Sequence, residues 1–154
     1  MNTHDRTKFT YTCYIAASPE KVWEALTNPA FTELYWAGRN IVSNWKPGAS
    51  VQMLKADGSV DWEGEIVTVS PHRVLAFTFL APRFEAAGPG KPTRVSIELT
   101  QQETAVRMTL VHEGFESDST SFEGISQGWP AIVSSLKSLV ETGKAIDFPA
   151  WRGK

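Results

Sequence analysis

Apolar and polar residues alternate from Lys8 to Ile15, with Phe9, Tyr11, Cys13 and Ile15 on one face and Thr10, Thr12 and Tyr14 on the other. A period of two in a run rich in aromatic and β-branched residues predicts a first strand. The pattern then changes. Ser18, Pro19 and Glu20 read as a helix start: a capping hydroxyl, a proline suited to the first helical position, and a carboxylate at the positive end of the helix dipole. Val22, Trp23 and Leu26 form the apolar stripe of a short helix, which Asn28-Pro29 ends because the residue before a proline avoids helical dihedrals. From Ile41 to Glu113 the chain reads as strands and turns, punctuated by Lys46-Pro47-Gly48, Asp57-Gly58 and Pro71-His72. The runs between are Ser50–Leu54, Val60–Val69 and Val74–Leu80, followed by Thr93–Thr100 with Val95, Ile97 and Leu99 inward, and by Ala105–His112 with Val106, Met108, Leu110 and His112 on one face. The segment 81–92, with three Pro and two Gly, predicts a loop. Val60–Val69 is out of phase with itself: Trp62 and Ile66 fall on one face, Val67 and Val69 on the other, and a bulge near Gly64 reconciles them.

The last element is a long helix. Phe122, Ile125, Trp129, Ile132, Val133, Leu136, Leu139 and Val140 recur at spacings of three and four, and Gly143 closes the run. Pro130 removes one backbone hydrogen bond, which predicts a kink or a new start near Gly128-Trp129. Beyond Gly143 the tail has no periodicity, although Phe148 and Trp151 are suited to dock on the body. Meandering strands are antiparallel, and one long amphipathic helix must cover their apolar face. A single helix cannot fill the concavity of a wide, curved sheet. Either large aromatic side chains fill it or a ligand does.

Composition narrows the options. The 154 residues fit one domain (1–154, with a core of 8–143 and a tail of 144–154), with 42% hydrophobic and 21% charged residues. A net charge of −2 gives no long-range attraction to a phosphate backbone, so nucleic acid is not an expected partner. No apolar run is long enough for membrane insertion, and the polar start from Met1 to Thr10 has no signal-peptide core. A lone Cys13 suits a reducing, cytoplasmic location. What stands out is the aromatic content, with 6 Trp and 8 Phe.

The runs Val22-Trp23-Glu24-Ala25-Leu26-Thr27-Asn28-Pro29, Trp45-Lys46-Pro47-Gly48, Gly64-Glu65-Ile66 and Leu75-Ala76-Phe77-Thr78-Phe79, then Leu110-Val111-His112-Glu113-Gly114-Phe115, Gly128-Trp129 and Leu136-Lys137-Ser138-Leu139, occur in an order that resembles the SRPBCC (START-like, helix-grip) superfamily. They are most similar to its branch named after the activator of a heat-shock-protein ATPase, and the likeness spans roughly 8–143. The resemblance implies an α+β helix-grip fold: a curved antiparallel sheet of about six to seven strands wrapped around the C-terminal helix, with two short helices after the first strand. It also implies a cavity between sheet and helix, where relatives bind lipids, sterols, polyketides or plant hormones and a few catalyse cyclisation or dehydration. It carries over no catalytic residue. Full co-chaperones of the branch have a further N-terminal domain that docks on the chaperone, and no stretch of this chain is long enough to hold it.

The candidate cavity residues are Trp36, Trp45, Met53, Trp62, Phe77, Phe79, Met108, Phe115 and Trp129, with His112 and, on the helix, Val133 and Leu136, because small-molecule sites combine aromatic walls with a few polar groups. For any single aromatic, plain core packing is the first reading. His112 reads as a hydrogen-bonding handle or general acid–base group, beside a second polar group such as Glu65 or Tyr35, or else as a histidine bonded to its neighbours. Glu113, Glu116, Asp118 and Glu123 match no calcium loop and read as a solvated face. His4, His72 and His112 lack metal-ligand spacing, and Glu116 stands where an HExxH pattern begun at His112 needs its second histidine, so no metal is expected. Gly88-Pro89-Gly90-Lys91 fails as a phosphate loop, with Pro92 in the Ser/Thr position. Cys13 reads as inert packing, and no cofactor is implied. The expectation is a binding protein for a small hydrophobic molecule, with the 81–92 loop and the Pro130 kink as gates. An enzyme of the polyketide cyclase/dehydratase kind ranks second and a chaperone-interaction module third, with the oligomeric state open.

Overall fold

The first strand and the last meet across nearly the whole chain. In the computed structural model, which describes residues 7–82, 91–116 and 121–152, β1 (Lys8–Ile15) pairs antiparallel with β7 (Ala105–Glu113), from Lys8 opposite Glu113 to Ile15 opposite Val106. Between them come β2 (Asn40–Ser43), β3 (Ser50–Leu54), β4 (Val60–Ser70), β5 (Val74–Phe79) and β6 (Thr93–Gln102), giving one seven-stranded antiparallel sheet in the order β1-β7-β6-β5-β4-β3-β2. Two strands adjacent in sequence, β1 and β2, therefore occupy opposite edges. The chain crosses between those edges through α1 (Pro19–Thr27) and α2 (Pro29–Tyr35). The long α3 (Ser121–Thr142) packs against β1, α1 and α2, and a last turn, α4 (Pro149–Arg152), follows it. No described helix is long and apolar enough to cross a membrane.

Local chemistry explains the boundaries. Ser18 Oγ accepts the Lys21 N–H at 3.2 Å with Pro19 behind it, and Asn28 Oδ1 caps α2 by accepting the Ala30 N–H at 2.9 Å. Asn28 thus ends one helix and begins the next, so only one residue separates them. The α1 stripe is Val22, Ala25 and Leu26, with Trp23 at its half-buried margin. In α3 the buried positions are Ile125, Trp129, Ile132, Val133, Ser135, Leu136 and Leu139. The helix runs unbroken through Pro130 instead of restarting there.

The phase conflict in β4 is resolved by bulges flanking Gly64, not by one at it. Register shifts at Asp61, against β3, and at Val67, against β5. Each bulge sets two residues opposite one and flips the later alternation. The first turns both Asp61 and Trp62 inward; the second leaves Val67 exposed after buried Ile66. Gly64 has a different role. A Cβ there would lie 1.7 Å from the carbonyl oxygen of Thr78, so only glycine lets β5 approach this closely.

Candidate functional site

The sheet–helix interface is open at one end. A cavity of about 380 Å³ opens there, walled by Trp36, Trp62, Phe79 and Trp129, with Ile125, Ile132, Gly128 and Trp151 completing the apolar part and Arg39 and Asp61 the ionic part. Deeper in, between Leu75, Phe77, Ile97, Met108, Leu110, Val133 and Leu136, only about 20 Å³ is left.

Each wall has a local cause. Trp36 caps the C-terminus of α2, after which Ala37 (φ +46°) and Gly38 (φ +79°) take left-handed dihedrals and deliver Arg39 to the start of β2. The first β4 bulge brings in Asp61 and Trp62. Arg39 Nε donates to Asp61 Oδ2 at 2.9 Å, with side chains only 9% and 3% exposed. Arg39 Nη1 also donates to the carbonyls of Ala37 (3.3 Å) and Trp151 (3.4 Å), which ties the C-terminal turn to the cavity wall. The tail docks as expected: Ser135 Oγ both donates to the Ile146 carbonyl (3.0 Å) and accepts its N–H (3.1 Å), and Phe148 stacks on Trp151 at 4.8 Å.

The rings form a continuous aromatic chain. Trp36 meets Trp129 edge-on at 5.3 Å, Trp62 stacks on Phe77 at 5.1 Å and tilts onto Phe79 at 4.9 Å, and Phe79 meets His112 at 4.8 Å. His112 is fully buried and both ring nitrogens are engaged. The Trp129 indole N–H donates to Nδ1 at 3.0 Å, which leaves Nε2 to carry the proton and donate to Thr93 Oγ1 at 2.6 Å; that hydroxyl donates to the Phe79 carbonyl at 3.1 Å. Burial pushes the His112 pKa down to about 3, so the ring is neutral at physiological pH. This is the arrangement of a histidine satisfied by its neighbours. It does not line the cavity, and neither Glu65, exposed on β4, nor Tyr35, whose hydroxyl donates to the Ala25 carbonyl at 2.9 Å, pairs with it.

Of the residues expected at the cavity, Trp36, Trp62, Phe79 and Trp129 line it, and Phe77, Met108, Val133 and Leu136 line the small void behind. The structure places Trp45, Met53, Phe115 and His112 elsewhere. Met53 is buried in β3, Phe115 packs its ring between His112 and Phe122, and half-buried Trp45 sits in the β2–β3 turn at φ +55°. Inward parity identifies a face of the sheet but not a position along it. Sequence reasoning missed Arg39 and Asp61. The usable signal was the broken phase around Trp62, which also turns its neighbour inward.

Among the described residues no group of three or more His, Cys, Asp and Glu converges to hold a metal. Glu116 makes an exposed ion pair with Lys91 at 3.4 Å, while Asp118, His4 and most of the glycine-proline loop lie outside the described residues, as does residues 83–90 of the expected gate. His72 rests edge-on against Trp23 at 6.1 Å. Cys13 is half-buried with its pKa raised, chiefly by burial, which lowers its reactivity.

A curved antiparallel sheet closed over a C-terminal helix, with two short helices after the first strand and a cavity beneath the helix, defines the helix-grip class. Residues 16–141 match the model of the family described as activator of Hsp90 ATPase homolog 1-like protein, and the chain belongs to that family. Solved structures agree on the fold. The Aha1 dimer from Colwellia psychrerythraea is similar with a TM-score of 0.75 at 19% identity, covering 90% of this chain and 98% of that one. Protein MLL2253 from Mesorhizobium loti gives a TM-score of 0.73 at 24% identity, covering 86% and 95%. PFC0360w, an Hsp90 activator from Plasmodium falciparum, gives 0.67 at 16% identity, covering 80% and 87%. No curated protein matches the sequence significantly.

Proposed function

We propose that this protein binds a small, largely apolar molecule in the cavity between the concave sheet and the N-terminal half of α3. The observation that carries the reading is the contrast in packing: about 380 Å³ is open at one end of an interface that closes to about 20 Å³ at the other. Proteins pack to crystal-like density, and a hole of this size with aromatic walls and a few polar groups has the make-up of a ligand site. A ligand hiding about 400 Å² of apolar surface gains roughly 10 kcal/mol. Association costs of several kcal/mol offset part of that gain, leaving affinities near micromolar. Chaperone work ranks below this reading, because a packed interaction module has no need of the cavity. An acid–base role for His112 ranks lower still, since its ring nitrogens are committed. The lone cysteine keeps a cytosolic setting as part of the proposal.

Gly128 supplies the test. It lines the cavity from within α3, and a Cβ built there meets nothing within 4 Å. Gly128→Phe is therefore chosen to add bulk at the cavity wall from a position where a Cβ has room, and it also improves helix propensity. The native protein is expected to quench its tryptophan fluorescence saturably with members of a ring-compound panel, and Gly128→Phe to lose at least tenfold in affinity while remaining folded. Absence of saturable binding to the native protein would overturn the reading.

A further inference from the structure

Gly143 ends α3 with a left-handed φ of +85°, which reverses the chain, and the tail runs back along the helix that it has just left. Ser138 Oγ donates to the Lys144 carbonyl at 2.7 Å. Ser135, one turn earlier, holds Ile146 by both its carbonyl and its N–H. Trp151 then reaches the cavity that Ile132 and Gly128 line, further back on the same helix. Trp62, Phe79 and Trp129 are the buried part of that cavity wall, whereas half-buried Trp151 belongs to its rim with exposed Gln127. Ser135 is the odd member of the buried α3 face. It is 0% exposed beside Ile132, Val133, Leu136 and Leu139, and its hydroxyl commits both donor and acceptor to the tail.

What holds the tail is separable from what holds the fold. The seven strands pair only with one another, and the tail joins no sheet. It is clasped by side-chain hydrogen bonds from Ser138, Ser135 and Arg39, the last to the Trp151 carbonyl at 3.4 Å. Its helical turn, α4, has four residues, too few to stand as a helix by itself. It also lies beyond residues 16–141, over which the family match runs. Chain ends held in this way open locally, at free energies well below that of global unfolding.

From the buried clasping serine, the ring at the cavity rim and the independence of the sheet, we propose that residues 144–152 form a strap across the cavity, and that a small molecule enters and leaves as this strap lifts from α3 about Gly143. The proposal rests on the cavity-binding reading above and adds the route by which the site is reached. Ser135 is a positioning residue outside the cavity lining, and Trp151 is the group that moves.

N-phenyl-1-naphthylamine, an uncharged fluorescent probe, tests this in stopped flow with the full-length protein. Ser135→Ala removes both bonds to Ile146 and leaves every lining residue in place. It should raise the association and dissociation rates together, roughly five- to thirtyfold as two net hydrogen bonds allow, with Kd unchanged within about threefold. Amide exchange gives a readout that needs no probe. In the native protein the Ile146 and Trp151 N–H groups should exchange through a local opening insensitive to denaturant, well ahead of the α3 amides from Ile132 to Leu136. The Trp151 N–H bonds to the Phe148 carbonyl and not to Ser135, so its faster exchange in Ser135→Ala, by the same factor as the probe rates, shows the strap lifting as a unit. Native Trp151 exchange no faster than that of α3 would overturn the strap, as would probe rates in Ser135→Ala within twofold of native. Saturable probe binding in either case leaves the cavity reading intact. Failure of the probe to bind either protein saturably would overturn both.

Discussion

The two ends of the sheet–helix interface share a sheet and a helix but not a packing logic. At the closed end, Val133 and Leu136 of α3 face Leu75, Ile97, Met108 and Leu110, with Tyr35, Phe77, Trp36, Trp62 and Trp129 completing the wall, and the space left is about 20 Å³. At the open end, Trp36, Trp62, Phe79 and Trp129 surround about 380 Å³. Aliphatic side chains have several torsions through which to interdigitate, and they reach the density of a molecular crystal. Indole rings are rigid plates, and Trp36 and Trp129 cross at 74°, an arrangement that braces a wall without filling the space in front of it. The difference teaches that apolar content alone does not close a core. Trp36, Trp62 and Trp129 wall both spaces; the interface closes where the aliphatic side chains of β5, β6 and β7 fill in beside them and stays open where those are lacking.

The contrast can be broken from either side. At the closed end, Leu136→Ala should cost about 2–5 kcal/mol by chemical denaturation, because its surroundings cannot collapse, yet leave ligand affinity within about twofold. A loss of affinity as large as that of Gly128→Phe would show that the two ends are one site. Gly64→Ala, which drives a Cβ into the Thr78 carbonyl, should cost about 3 kcal/mol, seen as a drop in denaturation midpoint. At the open end, Asp61→Asn removes the carboxylate facing buried Arg39 and should cost about 3 kcal/mol, whereas the double change Arg39→Met with Asp61→Leu should recover most of it. Failure of the double variant to recover would mean that the Arg39 hydrogen bonds to the Ala37 and Trp151 carbonyls, also lost in it, outweigh the ion pair.

The pH dependence tests the support behind the open end, where His112 packs against Phe79 and Trp129. Its folded pKa is about 3, below the usual 6.5, so the unfolded state binds the proton first. Stability from this group is full above pH 6.5 and falls as the pH drops toward 3, by about 1.4 kcal/mol per pH unit. His112→Gln should cost about 2 kcal/mol at pH 7 and make the decline between pH 6 and 4 shallower by one proton. An unchanged slope would show that the native ring accepts a proton after all. The smallest effect is expected at Ala37, where glycine suits φ +46°; Ala37→Gly should change stability by no more than about 0.5 kcal/mol.

What was legible in the sequence was local. The caps at Ser18 and Asn28, the alternation in β1, β6 and β7, and the stripe of α3 follow from residues within a few positions of each other, so the fold class could be read before any coordinates. The contents of the site were not local. The Arg39–Asp61 pair and the chain from Trp129 through His112 to Thr93 join separate elements, and charged residues read singly are assigned to solvent. Trp62 lies between these cases. Its broken phase was visible, but where the bulges fall depends on pairing with β3 and β5.

The placement of β1 and β2 at opposite edges has a consequence for synthesis. β1 leaves the ribosome first, but its partner β7 is about 100 residues behind, so at typical translation rates it waits about 5–20 s. During that interval each strand from β3 to β6 can pair with the strand made just before it, while Phe9, Tyr11 and Cys13 have no sheet to join. Closing so long a loop is a slow step in folding. The strand of this sheet translated first is thus among the last to be placed, and the sheet's β1 edge is the part of the nascent sheet most in need of protection from other chains.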